Sequence, residues 1–254
     1  MATLTWNGSW GFKLSDLDLS NLFYADDYIR TSTRFSAYYY DIGYRDEFRG
    51  YGFTYDVYGV PTGGVVTGYA SIVSGRKVAS LDGGSVPVTS LVNAASTFST
   101  SDDRGIFRSV LSGNDRITGG GYNDRLEGFA GRDVLYGRQG ADKLYGGLDA
   151  DTFTFKSIRD STVSSSGRDT IQDFSFSQGD RIDLRAIDAN ATAAGNQAFR
   201  FIGKAAFQDR AGELRSEKYG SGYLVSGDVD GDGGADFSVY LKGVASVSKS
   251  YFML

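Results

Sequence analysis

Apolar residues recur along this chain at three successive periods. Before about residue 100 they alternate with polar residues in short runs, as in Phe53-Thr54-Tyr55-Asp56-Val57-Tyr58 and Val65-Val66-Thr67-Gly68-Tyr69-Ala70. Period two is the signature of half-buried strands. The clusters Pro61-Thr62-Gly63-Gly64 and Asp82-Gly83-Gly84-Ser85 predict turns between such strands. Val88, Leu91, Val92 and Ala95 then adopt i, i+3, i+4, i+7 spacing behind Pro87, which predicts a short helix. A second helix is expected from Asp102 or Asp103, carrying Ile106, Phe107, Val110 and Leu111.

From Val110 to Phe155 the period changes to nine. Ile117, Leu126, Leu135, Leu144 and Phe153 each follow an aspartate by two residues, and those aspartates are Asp115, Asp124, Asp133, Asp142 and Asp151. A nine-residue repeat is too short for a helical hairpin. It leaves about three residues for a strand once the chain has turned. Carboxylates and core side chains therefore advance together, and a disordered Gly/Asp linker would have no reason to keep such a core period.

Composition narrows the chemistry. The 254 residues include 35 glycines, 2 prolines, no cysteine and no histidine. Disulfides, thiolate nucleophiles, a His-containing triad and His- or Cys-ligated zinc are all excluded. The ligands that remain are hard oxygens, which suit calcium or magnesium. A net charge of −5 and a pI near 4.8 argue against nucleic acid. No apolar run is long enough for a membrane span, and Met1-Ala2-Thr3-Leu4-Thr5-Trp6 lacks the basic and apolar regions of a Sec signal peptide.

Written out, the repeats read Gly119-Gly120-Gly121-Tyr122-Asn123-Asp124-Arg125-Leu126-Glu127, then Gly128-Phe129-Ala130-Gly131-Arg132-Asp133-Val134-Leu135-Tyr136. Gly137-Arg138-Gln139-Gly140-Ala141-Asp142-Lys143-Leu144-Tyr145 and Gly146-Gly147-Leu148-Asp149-Ala150-Asp151-Thr152-Phe153-Thr154 follow. This pattern resembles the calcium-binding RTX nonapeptide Gly-Gly-x-Gly-x-Asp-x-(bulky apolar)-x. The resemblance implies a parallel β-roll that binds calcium between one turn and the turn eighteen residues later. It implies metal ligands at Asp115; at Gly119, Gly121, Asn123 and Asp124; and at Gly128, Ala130, Arg132 and Asp133. Gly137, Gln139, Ala141 and Asp142 form the next set, with Gly146, Leu148, Ala150 and Asp151 after them. Pairing turns two apart gives about three Ca2+ ions from five turns. Departures from the motif, at Phe129 and Arg138 in the second position and at Tyr122 and Asp149 in the fourth, are expected to weaken their turns.

A second resemblance covers residues 110–254. Arg168-Asp169-Thr170-Ile171-Gln172-Asp173-Phe174, Gln178-Gly179-Asp180-Arg181-Ile182-Asp183-Leu184 and Gly227-Asp228-Val229-Asp230-Gly231-Asp232-Gly233-Gly234-Ala235-Asp236-Phe237 look like the C-terminal module of serralysin-type metalloproteases. That likeness implies calcium binding, with one more ion near Asp173 and Asp180, and export by type I secretion machinery to an extracellular location. The zinc protease helix of that family cannot exist without histidine. Asp228, Asp230, Asp232 and Asp236 have EF-hand-like spacing, but Val239 stands where the bidentate Glu belongs, so a calcium loop and an Asx-stabilised hairpin both remain open. The final Ser248-Lys249-Ser250-Tyr251-Phe252-Met253-Leu254 reads as an exposed apolar export tail or a last strand tucked into the core.

The expected fold is all-β, with a small Tyr-rich β domain at 1–108 and a calcium-binding parallel β-roll, or β-solenoid, at 109–156. A β-sandwich-like C-terminal module at 157–254 completes it. The expected function is that of a secreted, non-enzymatic calcium-binding protein. Tyr38-Tyr39-Tyr40 could instead present a surface for extracellular polysaccharide. Asp26, Asp27, Asp41, Asp46, Glu47 and Asp56 could in principle supply a carboxylate-only glycan hydrolase, although exposed loop acids are commoner.

Overall fold

The computed structural model describes residues 1–14 and 18–254. They form two compact units, the first comprising Met1–Gly8 and Lys13–Arg116, the second Ser9–Phe12 and Ile117–Leu254.

In the first unit β1 (Thr3–Trp6), β2 (Asp27–Arg30), β3 (Arg34–Tyr39), β4 (Tyr44–Tyr55), β5 (Pro61–Val73) and β6 (Arg76–Pro87) make an antiparallel sheet in the order β1-β6-β5-β4-β3-β2. Both expected helices are present, as α1 (Val88–Ala95) and α2 (Thr100–Val110). Ser99 starts α2 by accepting the Ser101 N–H, and Asp102 and Asp103 place negative charge in its first turn. Val88, Leu91, Ala94 and Ala95 bury one stripe of α1 against Phe35, Ala37, Phe48 and Val66 of the sheet.

The two glycine clusters are not turns. Pro61-Thr62-Gly63-Gly64 opens β5, and Asp82-Gly83-Gly84-Ser85 lies inside β6 as a bulge, since Val66 pairs with Val86 while Gly68 pairs with Asp82. Gly83, with φ +85°, supplies the left-handed step such a bulge needs. The chain reverses instead at Ser74-Gly75, both with positive φ, between paired Val73 and Arg76. Strand β4 stops at Tyr55 rather than running on to Tyr58, because Asp56 Oδ1 accepts the N–H groups of Tyr58 and Val60 and curls the backbone into a loop.

The second unit stacks short parallel strands at every second repeat. One sheet contains β7 (Arg116–Thr118), β9 (Val134–Tyr136), β11 (Thr152–Thr154), β13 (Arg181–Asp183) and β18 (Phe252–Met253). The other contains β8 (Arg125–Glu127), β10 (Lys143–Tyr145) and β12 (Thr170–Ile171), followed by the antiparallel strands β17 (Phe237–Leu241), β16 (Gly222–Asp228) and β15 (Glu213–Tyr219) and by β14 (Arg200–Phe201). Register aligns the apolar eighth residues into columns. Leu126, Leu144, Ile171 and Leu241 form one; Leu135, Phe153, Ile182 and Phe252 form the other. All but Phe252 are fully buried, so the roll's core runs past the last nonapeptide into residues 157–254.

In the terminal tail Ser248, Lys249 and Ser250 are exposed, but the apolar end is not. Phe252 is buried in β18 beside Ile182 and packs on Phe201 with ring centroids 5.3 Å apart, while Tyr251 stacks on Phe176 at 4.8 Å.

Candidate metal centre

The aspartates of the roll are buried, which for a carboxylate demands compensation. One oxygen of Asp115, Asp124, Asp142 and Asp151 finds it in a backbone ladder. Asp142 Oδ1 accepts the Asp124 N–H at 2.8 Å, and Asp151 Oδ1 accepts the Asp133 N–H at 2.9 Å, each across eighteen residues. The ladder then continues through two aspartates outside the repeats, with Asp169 Oδ1 accepting from Asp142 N and Asp180 Oδ1 from Asp151 N. At its start the partner is a backbone amide. Phe12 N donates to Asp124 Oδ1 at 2.6 Å and Phe12 O accepts from Arg125 N at 2.7 Å, so the Ser9–Phe12 segment acts as one more rung. In the first unit Ala2 N donates to Asp115 Oδ1 in the same manner.

The second oxygen is different. Oδ2 of Asp142, Asp151 and Asp169 is buried with no hydrogen-bond partner. Such an orphan costs the desolvation of a charged group unless a cation completes it. The backbone keeps that space open. A Cβ on Gly128, Gly137 or Gly146 would collide with Oδ2 of Asp133, Asp142 or Asp151, and the carbonyl oxygen of Gly146 lies over Gly128. A bare carboxylate oxygen, a carbonyl oxygen and a cradle kept clear of side chains form a hard-oxygen donor set that fits Ca2+.

The roll's electrostatics lead to the same conclusion. Burial pushes the Asp142 and Asp151 carboxyls up to about 8, with Asp124 and Asp160 adding to the first and Asp180, Asp133 and Asp173 to the second. Burial also raises Asp169 well above the usual range, and raises Asp124, Asp173 and Asp180. A dication reverses this penalty by supplying the missing opposite charge.

The ligand sets named from the sequence separate into two groups. The first-position residues Gly119, Gly128, Gly137 and Gly146 are buried beside the carboxylates. The third- and fifth-position residues are half-buried or exposed on the outer rim: Gly121, Asn123, Ala130, Arg132, Gln139, Ala141, Leu148 and Ala150. The first turn departs from the others, since Asp124 Oδ2 accepts the Gly120 N–H and neither Gly120 nor Tyr122 is left-handed. Phe129, Arg138 and Asp149 keep the left-handed backbone that glycine would hold, with φ of +72°, +70° and +76°.

Asp173 and Asp180 are placed by hydrogen bonds of their own. Asp173 accepts from Gly146 N and Gly147 N, and Asp180 Oδ2 accepts from Ser175 N, so both close turns against the last repeat. The sequence does not mark Asp169 as a site residue. The spacing from Asp142 is 27 residues instead of 18, so no periodic signal reaches it. In the β16–β17 hairpin, Asp228 accepts from Gly231 N and Gly233 N, and Asp236 Oδ2 accepts from Val229 N. The Asx network is therefore built, while ligand oxygens of Asp228, Asp230 and Asp236 also converge within 4.8 Å of one another.

The acids of the first unit are dispersed among separate tasks. Asp46 is buried and accepts from the Tyr44 and Tyr69 hydroxyls, with burial raising its carboxyl to about 6. Asp26 accepts from Tyr40 N, Asp27 from the Tyr40 hydroxyl, and Glu47 pairs with Arg45 and Arg49, while Asp41 is exposed. Of the three consecutive tyrosines, Tyr39 is tied to the Asn21 carbonyl and packs on Tyr44, and Tyr40 is exposed.

The fold and the orphan oxygens define a calcium-binding β-roll. Residues 111–144 and 118–153 match the family described as RTX calcium-binding nonapeptide repeat (4 copies), and this stretch of the chain belongs to that family. Among solved structures the chain is similar to the AlgE6R3 subunit of the Azotobacter vinelandii mannuronan C5-epimerase, at 31% identity over 56% of this chain and 74% of that one, with a TM-score of 0.40. It is also similar to the AlgE6R2 subunit of that epimerase, at 27% identity over 56% of this chain and 89% of that one, with a TM-score of 0.41. No curated protein matches the chain.

Proposed function

We propose that this is a secreted, non-enzymatic calcium-binding protein whose roll folds when calcium arrives after type I export. The observation that carries this reading is the set of buried Oδ2 atoms on Asp142, Asp151 and Asp169 that have no hydrogen-bond partner. Without a cation these carboxylates repel one another inside a low-dielectric stack, which favours an expanded chain. Bound calcium supplies the charge that lets them remain ionised. Asp133, Asp142 and Asp151 hold it, while the first-position glycines give the backbone room and the Oδ1 ladder fixes the carboxylates in place.

An extracellular location suits this design, because free calcium there is high enough to fill weak sites. No helix among the described residues is long and apolar enough to cross a membrane. The absence of histidine and cysteine, together with the dispersal of the first unit's acids, supports a binding role over a catalytic one.

The test is a metal count. Protein stripped with EGTA, re-equilibrated with calcium and measured by mass spectrometry is expected to hold about three ions per chain. Asp133→Asn should lose about one of them while the exposed Asp41→Asn loses none. Protein carrying no calcium above buffer background contradicts the proposal.

A further inference from the structure

The first unit holds a second feature that its fold does not require. Between the sheet and α1 lies an open cavity of about 230 Å³. Phe35, Phe48 and Val66 line it from the sheet, and Val88, Leu91 and Val92 line it from the helix. Protein interiors are normally packed as tightly as organic crystals, so an apolar chamber left open to solvent exposes surface whose burial by an apolar ligand is favourable.

Its opening is chemically distinct. Arg30, Phe23 and Tyr58 also line the cavity and are the exposed members of its wall. Arg30 donates through Nε to the Gly59 carbonyl at 2.9 Å, and its guanidinium stacks 4.6 Å above the Tyr28 ring. Those contacts hold the side chain in place without neutralising it, and no carboxylate among the described residues forms an ion pair with it. The same Gly59 belongs to the loop that exposes Val57 and Tyr58, at 92% and 86%, beside the opening. An apolar chamber with a fixed, unpaired cation and exposed apolar side chains at its mouth is complementary to an amphiphile.

We propose that this cavity binds a small anionic amphiphile, with its tail against Leu91 and Phe48 and its carboxylate on Arg30. An apolar cavity of about 150 Å³ holds benzene, so this one takes a chain of roughly eight carbons. The first unit thereby becomes a receptor for a medium-chain carboxylate, independently of the calcium chemistry of the roll.

The full calcium-loaded chain is titrated with octanoate and, separately, with 1-octanol, by calorimetry and by NMR of methyl groups. Saturable one-to-one octanoate binding with shifts at Val88, Leu91 and Val92 is expected. Leu91→Trp fills the chamber and should abolish binding of both ligands. Should that variant fail to fold by circular dichroism, Val92→Phe at the half-buried edge of the chamber does the same task. Arg30→Gln should weaken octanoate by about tenfold and leave octanol unchanged, as loss of a charge-assisted contact requires. The inference is overturned by no saturable binding of either ligand, by full octanoate affinity in the folded chamber-filling variant, or by an Arg30→Gln protein that binds octanoate as the parent does.

Discussion

Within one turn of the roll, the fate of a single oxygen separates scaffold from site. Oδ1 of Asp142 and of Asp151 is consumed by a backbone N–H, and Oδ2 is left for the metal. The side chains at the second and fourth positions matter for another reason. Arg138, like Phe129, holds a left-handed backbone, at φ +70°, at the position where the last repeat has Gly147, a conformation that costs an L-residue about 1–2 kcal/mol. Arg138→Gly should therefore stabilise the calcium-loaded protein by about 1 kcal/mol, after the extra freedom of glycine in the unfolded chain is set against the relief. Urea denaturation at saturating calcium checks this, with Arg138→Lys as the neutral control. A lower midpoint for the glycine variant would show that the Arg138 contact to the Tyr136 ring outweighs the strain.

At the scale of elements, the aspartates couple each turn to the turn two repeats on through charge as well as through hydrogen bonds. Burial raises Asp142 and Asp151 to about 8 from an ordinary value of 3.8. A carboxyl raised on folding stabilises the fold below its unfolded value, and that stabilisation is lost as pH rises through the folded value. Metal-free protein should accordingly resist urea best near the acid end of this window and weaken steadily toward pH 8, whereas calcium-loaded protein should not weaken over that range. A metal-free midpoint that stays level or climbs with pH contradicts the assignment. The nine-residue period made these elements legible because the same side chain meets the same neighbour in every turn. Where inserted loops stretch the step to 27 and 29 residues, Asp169 and Asp180 continue the ladder with no periodic signal. The Phe12 rung is equally silent in the sequence, since a backbone amide donates whatever side chain it carries. The glycine clusters misled for a related reason: left-handed residues serve a bulge as well as a turn, and pairing across β5 and β6 decides between them.

For the whole molecule, the sequence announced the chemistry of the roll more clearly than that of the Tyr-rich unit. Repetition copies one solution many times, and the orphan oxygens of Asp142 and Asp151 on a regular scaffold repeat one chemical message. The first unit is assembled from long antiparallel strands whose alternation declares a sheet but not the chamber beside α1, because a void has no residue of its own. Similarly, the final Tyr251-Phe252-Met253 reads as a tail or as a last strand until the parallel partner Ile182 is known. The central claim is that calcium completes the carboxylate stack and thereby folds the roll. Its most direct test is a calcium titration of EGTA-stripped protein, followed in parallel by far-ultraviolet circular dichroism and small-angle X-ray scattering. The account predicts a cooperative gain of β signal with a simultaneous fall in radius of gyration, reversed by EGTA; a spectrum and radius unchanged between EGTA and saturating calcium would contradict it.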